Sequence, residues 1–254
     1  MTEGRTVSSP TTDLPPPDVA LVIAAHPDDA EFGVGATFAK WAESATVLHH
    51  LVLTDGSKGT WDPAVDQVAL IATRREEQRA AARALGSTGA CHFLDRVDGE
   101  LVASTTNRGR VAEVIRRLRP DVVIGHDPWK RYRLHPDHRA AGRLCVEGVV
   151  AARDPFFHPE QLVDGLEPHR PDALLLFEAD EVNHVETLEQ RHLAARIEAL
   201  EAHRSQMATT HFYRAGEGDP LEEFRRREAR RLRDMGDLVG ARLGEAFHIV
   251  VDQL

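Results

Sequence analysis

Residues 26–31 read HPDDAE and residues 135–138 read HPDH. The first stretch sets His26, Asp28, Asp29 and Glu31 where the aliphatic run VALVIAA stops and an amphipathic pattern begins. The second lies shortly after the run DVVIGH, with Pro136 at a first helical position, where its missing N–H costs nothing. His26, Asp29 and His138 together supply two imidazoles and one carboxylate, a donor set suited to Zn2+ or Fe2+ with positions left for water. Three protein ligands fit catalysis better than a purely structural site. Asp28 would then stand near the metal without binding it, and His135 would stand beside His138. That is equipment for hydrolysis: a metal to activate water, a base to take its proton, and an imidazole to stabilise the oxyanion and protonate a leaving amine. Asp137 either orients His135 through its second ring nitrogen or is an acid at a helix start.

Two plainer readings of the first stretch fare worse. Gly33 and Gly35 begin a GxGxxG dinucleotide loop, but Phe38 takes the third glycine's place, and three acids crowd the helix N-terminus that should receive pyrophosphate. Helix capping accounts for one aspartate, but neither for the doubled acid nor for His26.

These residues need elements to hold them. Strand-like runs (VALVIAA, TVLHHLVLT, ACHFLD, DVVIGH, DALLLFEA) alternate with helical patterns near 30–42, 67–86, 111–118 and 136–152. Such alternation predicts an α/β, Rossmann-like fold: a mainly parallel sheet with helices on both faces. In that fold ligands bind outside the carboxyl ends of the strands where strand order reverses, so the loops after the first and fourth strands converge on one cleft. His126, ending the fourth strand, is a further lining candidate. Gly86 reads as a helix C-cap. Two charged helices, near 185–204 and 220–240, and a last strand AFHIVV complete the pattern; EEFRRREARRLRD alternates acids and bases at helical spacing and reads as a solvated, ion-paired face. Residues 1–18, rich in Ser, Thr and Pro, read as a flexible or extended arm outside the fold, leaving 19–254 as a single domain.

The chain has 254 residues, 42% of them hydrophobic, and 41 acids against 31 bases. This composition suits one sizeable soluble core, and the charge of −10 disfavours a nucleic-acid partner held by phosphate attraction. Cys91 and Cys145 match no zinc knuckle or CxxC pair and are expected reduced and buried, which favours a cytoplasmic location. No apolar run approaches the roughly 20 residues needed to span a bilayer, so no membrane role is expected. The oligomeric state is left open, a homo-oligomer included.

At these motifs the sequence resembles the PIG-L, or LmbE-like, family of metal-dependent N-acetylglucosamine deacetylases. The hallmark AHPDDE stands here as AHPDDAE, with Ala30 where the commonest form has Glu, and HPDH matches the second hallmark. TDGSKG at 54–59, RREEQRAAARALG and HRSQM at 203–207 extend the likeness over roughly 19–210. The resemblance implies zinc held by His26, Asp29 and His138, Asp28 as general base and His135 as acid or oxyanion partner. It also implies that Arg74 reaches substrate hydroxyls, with Arg75 its neighbouring rival, that Asp55 and Gly56 line the sugar site and that 58–61 form a lip. His203 and Gln206 either support the site or pack locally. The implied activity is removal of an acetyl group from a small amino-sugar substrate. An amidase acting on a related glucosaminyl thiol conjugate, and a non-catalytic metal- or sugar-binding protein, are the alternatives.

Overall fold

The computed structural model describes residues 9–211 and 219–254. Its strands are β1 (Thr11–Thr12), β2 (Val19–Ala24), β3 (Val47–Thr54), β4 (Cys91–Arg96), β5 (Val122–His126), β6 (Ala173–Phe177), β7 (His184–Thr187) and β8 (Gly244–Val250). They form one sheet in the order β1-β7-β8-β6-β5-β2-β3-β4. Every pairing is parallel except those of β8 with β6 and β7. The helices are α1 (Asp29–Ala42), α2 (Gln67–Ala84), α3 (Thr105–Leu118), α4 (Pro136–Arg153), α5 (Pro159–Val163), α6 (Gln190–Ala202) and α7 (Pro220–Asp237).

The strand β2 is apolar throughout because both of its faces are covered. Leu21 and Ile23 pack with Val111 and Ile115 of α3 and Leu144 and Val149 of α4. Ala20, Val22 and Ala24 pack with Val34 and Phe38 of α1, Ala81 of α2 and Ala199 of α6. Helices thus lie on both faces of a mainly parallel sheet. Strand β2 pairs with β3 on one side and β5 on the other. The helix after β2 lies on one face and the helix after β5 on the opposite face, so their connecting loops part and open a crevice at the carboxyl ends.

Several boundaries differ from the sequence pattern. Residues 11–13 are not outside the fold: Thr11 and Thr12 pair with His184 and Val185, and Asp13 accepts from Lys40 Nζ at 2.6 Å. This edge strand is too short to carry a periodic signal. Residues 185–187, expected within a helix, belong to β7, because antiparallel pairing with β8 engages them; α6 starts only at Gln190, with Glu189 as N-cap and His192 at N3 forming a capping box. The helix expected from 111 begins at Thr105, where Ser104 accepts from the Asn107 N–H at 3.2 Å. Gly86 follows α2 at φ 78°, as its capping role requires. Cys145 is buried and Cys91 half-buried, and both are free.

The charged run on α7 is ion-paired as expected, Arg225 meeting Glu222 and Glu201, while Phe224, Glu228 and Leu232 turn inward. Behind α1 a buried polar cluster is inserted. Glu245 of β8 accepts from the N–H groups of Ala36 (3.0 Å) and Thr37 (2.7 Å), and Arg196 of α6 donates to the Phe32 carbonyl (3.1 Å). The fully buried Arg196 is balanced by Glu228 at 2.8 Å and Glu245 at 3.5 Å. Gly33 lets the Phe177 ring approach α1, where a Cβ would come within 2.7 Å of that ring. It serves packing, not a phosphate loop.

Candidate metal and catalytic site

The two sequence motifs meet in the crevice. His26 follows β2, and His138 lies in the first turn of α4. His26 Nδ1 is 3.2 Å from His138 Nε2 and 3.3 Å from Asp29 Oδ2, and His138 Nε2 is 3.2 Å from Asp29 Oδ1. On its other edge, His26 Nε2 faces Asp137 Oδ2 at 3.1 Å and Asp98 Oδ1 at 3.2 Å. Two carboxylates there hold a proton on Nε2, so Nδ1, which faces Asp29 and His138, is the nitrogen that would bind a metal in place of a second proton. Burial opposes a charge on His26, but Asp137, Asp29 and Asp98 outweigh it and raise its pKa well above the usual imidazole value. The site attracts positive charge.

Of the two readings of Asp137, the acid in the first turn of α4 is the one seen. Its carboxylate does not orient His135; it is fully buried, contacts His26, and accepts from Gly99 N (2.6 Å) and Leu101 N (3.1 Å). Its backbone N–H donates to His135 Nδ1 at 3.3 Å instead, because His135 occupies the N-cap of α4 and its ring folds over the first turn. The bond leaves Nε2 of a neutral His135 to carry the proton.

Asp28 and Asp29 divide sharply. The Asp29 Oδ2 atom accepts from the His26 N–H (2.7 Å) and lies 3.3 Å from His126 Nε2, and neighbouring His138 and His126 hold the carboxyl well below its ordinary range against the opposing effect of burial. Asp28 is the N-cap of α1 at φ 104°, yet its side chain caps nothing and its buried Oδ2 has no hydrogen-bond partner. Burial pushes its pKa up to about 6, although Arg74, 3.9 Å away, pulls it down. Glu31, the acid nearest the motif position that Ala30 fills, turns away to Gln78 (2.7 Å) and His203 (3.2 Å), and is fully buried.

The loop after β3 and the helix α2 form the opposite wall. Arg74 is 3% exposed, which removes it from the surface; it donates to the carbonyls of Gly56 (2.8 Å) and Pro27 (2.7 Å). Arg75 instead pairs with Asp95 outside the crevice. Asp55 and Gly56 brace this wall without lining the cavity: Asp55 Oδ1 accepts from Ser57 N (3.0 Å) and Asp98 N (3.1 Å). The cavity, about 360 Å³, is lined by His26, Asp28, Asp29, Arg74, Asp98, His135 and His138, with Lys58 to Trp61 and Gln206 at its side. Gln206 donates to the Gly59 carbonyl at 3.0 Å. Asp98 was missed by sequence reasoning: it sits in a turn whose only signal is DGE, with no motif around it.

The donor chemistry fits a metal ion. Bonds of about 2.1 Å at tetrahedral angles put ligand atoms roughly 3.4 Å apart. His26 Nδ1 and His138 Nε2 are 3.2 Å apart, and Asp29 approaches them with different oxygens, Oδ2 at 3.3 Å from the first and Oδ1 at 3.2 Å from the second. Two ring nitrogens that close must share a proton or a cation. Three His/Asp groupings here could hold an ion: His26 with His135 and His138, Asp29 with His126 and His138, and His26 with Asp98 and Asp137. Asp137 in the third already accepts from two backbone N–H groups. No helix among the described residues is long and apolar enough to cross a membrane.

Several known proteins resemble the chain over most of its length. Diacetylchitobiose deacetylase from Thermococcus kodakarensis is 37% identical over 186 residues, covering 73% of this chain and 69% of that protein. A 4-oxalmesaconate hydratase from Pseudomonas putida is 30% identical over 168 residues, covering 62% of this chain and 64% of that protein. The structure of N,N'-diacetylchitobiose deacetylase from Pyrococcus horikoshii, complexed with its inhibitor MPG, superposes with a TM-score of 0.82 at 30% identity, over 92% of this chain and 84% of the other. Residues 21–149, which carry both motifs, match the family model described as PIG-L: GlcNAc-PI de-N-acetylase, and on these grounds the chain belongs to the PIG-L family.

Proposed function

We propose that the protein is a zinc-dependent amide hydrolase that removes the acetyl group from an N-acetylglucosamine-type small molecule. The observation that carries this reading is the pairing of a three-donor cluster, His26, Asp29 and His138, with a buried carboxylate, Asp28, that has no structural work of its own. Zinc held by that cluster would supply a Lewis acid that polarises the amide carbonyl and acidifies water. Asp28 takes the proton from the attacking water; burial suits it to the task by raising its affinity for a proton. His135, with its proton on Nε2, donates to the developing oxyanion and then to the leaving amine. Arg74 holds the Pro27 and Gly56 carbonyls in place and presents its remaining donors to sugar hydroxyls in the cavity. Asp137 and Asp98 fix the His26 ring. A non-catalytic binding protein would have no use for Asp28 or His135. Two free cysteines fit the reducing cytoplasm.

The test is acetate and free-amine release by zinc-loaded protein from N-acetylglucosamine, N,N'-diacetylchitobiose and an N-acetylglucosaminyl inositol. Glucosaminyl thiol conjugates and 4-oxalmesaconate serve as rival substrates. Hydration of the last without acetate release from any sugar would replace the deacetylase reading by that of a hydratase.

A further inference from the structure

We propose that Arg133 fixes the tautomer of His126 and thereby keeps this histidine out of the metal's ligand set. The proposal rests on the metal-site reading above and concerns a choice the geometry leaves open. Asp29, His126 and His138 bring three donors close enough to hold an ion by themselves. His126 is 1% exposed, its ring is stacked on that of His138 with centroids 4.5 Å apart, and its Nε2 is 3.3 Å from Asp29 Oδ2. By position alone it is as good a ligand as His26.

What separates them is the other ring nitrogen. Arg133 NH1 lies 3.0 Å from His126 Nδ1, and a guanidinium only donates. Nδ1 must therefore accept, and the proton of a neutral imidazole must sit on Nε2, aimed at Asp29. A protonated nitrogen has no lone pair for a metal. His26 is the reverse case: carboxylates at its Nε2 place the proton there and free Nδ1 for the site. Arg133 is itself held. It is buried, the same NH1 reaches Glu178 Oε2 at 2.8 Å, and the second oxygen of Glu178 faces Arg231 NH2 at 3.4 Å. Glu178 sits at φ 57° at the end of β6, a backbone conformation that turns its carboxylate to this place.

Two consequences follow for the site. Asp29 Oδ2 receives the His26 and His126 N–H groups, which leaves Oδ1, facing His138, as the freer oxygen for a metal. An ion bound there would be held by His26, Asp29 and His138 without His126, and would have a position left for water and substrate. Arg133 and His126 are thus positioning residues: neither needs to touch the substrate.

Long-range 15N–1H correlation NMR of [15N]histidine-labelled protein, first metal-free and then with Zn2+ alone, tests this, with His126→Gln to assign the ring. In the wild-type protein, His126 should carry its proton on Nε2 and keep it when Zn2+ shifts His26 and His138. In Arg133→Met nothing donates to Nδ1 any longer, so added Zn2+ should displace the Nε2 proton from beside Asp29, send it to Nδ1 and shift His126 Nε2 as a new ligand. Arg133→Lys, also a pure donor, should restore the wild-type pattern, which a merely space-filling role would not do. A wild-type His126 protonated on Nδ1, or an Arg133→Met protein whose His126 keeps its Nε2 proton when Zn2+ is added, overturns the proposal. If Arg133→Met does not fold, the wild-type tautomer and Arg133→Lys still decide. Zn2+ that shifts none of the three rings overturns the metal site as well, an outcome distinct from failure of the tautomer alone.

Discussion

Asp28→Asn should weaken catalysis and strengthen the fold at the same time. Asparagine has nearly the same shape and tolerates left-handed backbone, so φ 104° at position 28 is no barrier. In the metal-free protein, burial raises the Asp28 pKa from 3.8 to about 6. The folded state then holds the proton more tightly than the unfolded state, so ionisation costs folding free energy. The cost is absent below pH 3.8, grows as pH rises and is complete above about 6. At 1.36 kcal/mol per pH unit that gap comes to about 3 kcal/mol. Asparagine never ionises, so metal-free Asp28→Asn should gain up to about 3 kcal/mol at pH 8 and nothing near pH 3.5 in urea unfolding. With Zn2+ bound the cation favours the carboxylate and the gain should shrink. The same variant, metal retained, should lose about 10²- to 10⁴-fold in kcat, because its amide cannot accept the water's proton. A fully active, metal-loaded variant refutes the base assignment. A stability gain equal at both pH values refutes the burial argument. An inactive variant that has lost its metal means that Asp28 and Asp29 have exchanged roles.

Further expectations follow from the same geometry. His138→Ala should lose most of its metal by elemental analysis while circular dichroism stays unchanged, since its side chain is a quarter exposed at a helix start and outside the core. Arg74→Ala should raise KM for the sugar and shift the acid limb of kcat/KM to higher pH, because Arg74, ahead of His203 and His26, is the largest of the charges that lower the Asp28 pKa; an unmoved acid limb would contradict that link. For His203, burial opposes the charge but Glu31 outweighs it and raises the pKa above 6.5, while Glu31 is held below 4.5 mainly by His203 against the effect of burial. The stabilisation from His203 is present below pH 6.5 and fades as pH rises through its raised pKa; that from Glu31 is present above 4.5 and fades as pH falls through its lowered one. The urea-midpoint difference between wild type and His203→Gln should therefore peak between these values and narrow in alkaline solution.

The parts of the site that lie at strand ends were legible in the sequence. An apolar run that stops at His26, and another that stops at His126, mark carboxyl ends of buried strands, and the motif residues beside them could be placed in one crevice by fold rules alone. What could not be read was how side chains turn within it. Asp137 stands one residue from Pro136 and two from His135, so a local partner looked natural; its carboxylate goes instead to His26, 111 positions away. Asp98 and Arg133 lie in loops without periodicity, and only tertiary contact reveals what they face. Asp55 sits beside the crevice, but an Asx-type turn with Ser57 draws its carboxylate into the loop. The short strands β1, at the sheet's edge, and β7, beside it, were missed because two to four residues cannot show alternation.

The polar cluster behind α1 bears on modularity. Both hallmark motifs fall within residues 21–149, a segment that looks like a portable catalytic unit. Yet the helix that begins with Asp29 has its Phe32 carbonyl and its Ala36 and Thr37 N–H groups bonded to Arg196 and Glu245, side chains that lie beyond that segment. Cut there, the chain would leave these groups facing an emptied apolar wall and would strip β5 of its neighbour β6. The residues after 149 act as a built-in chaperone for the ligand helix. Grafting the two motifs into another scaffold would have to bring an equivalent of Arg196 and Glu245 along, or redesign α1 to do without them.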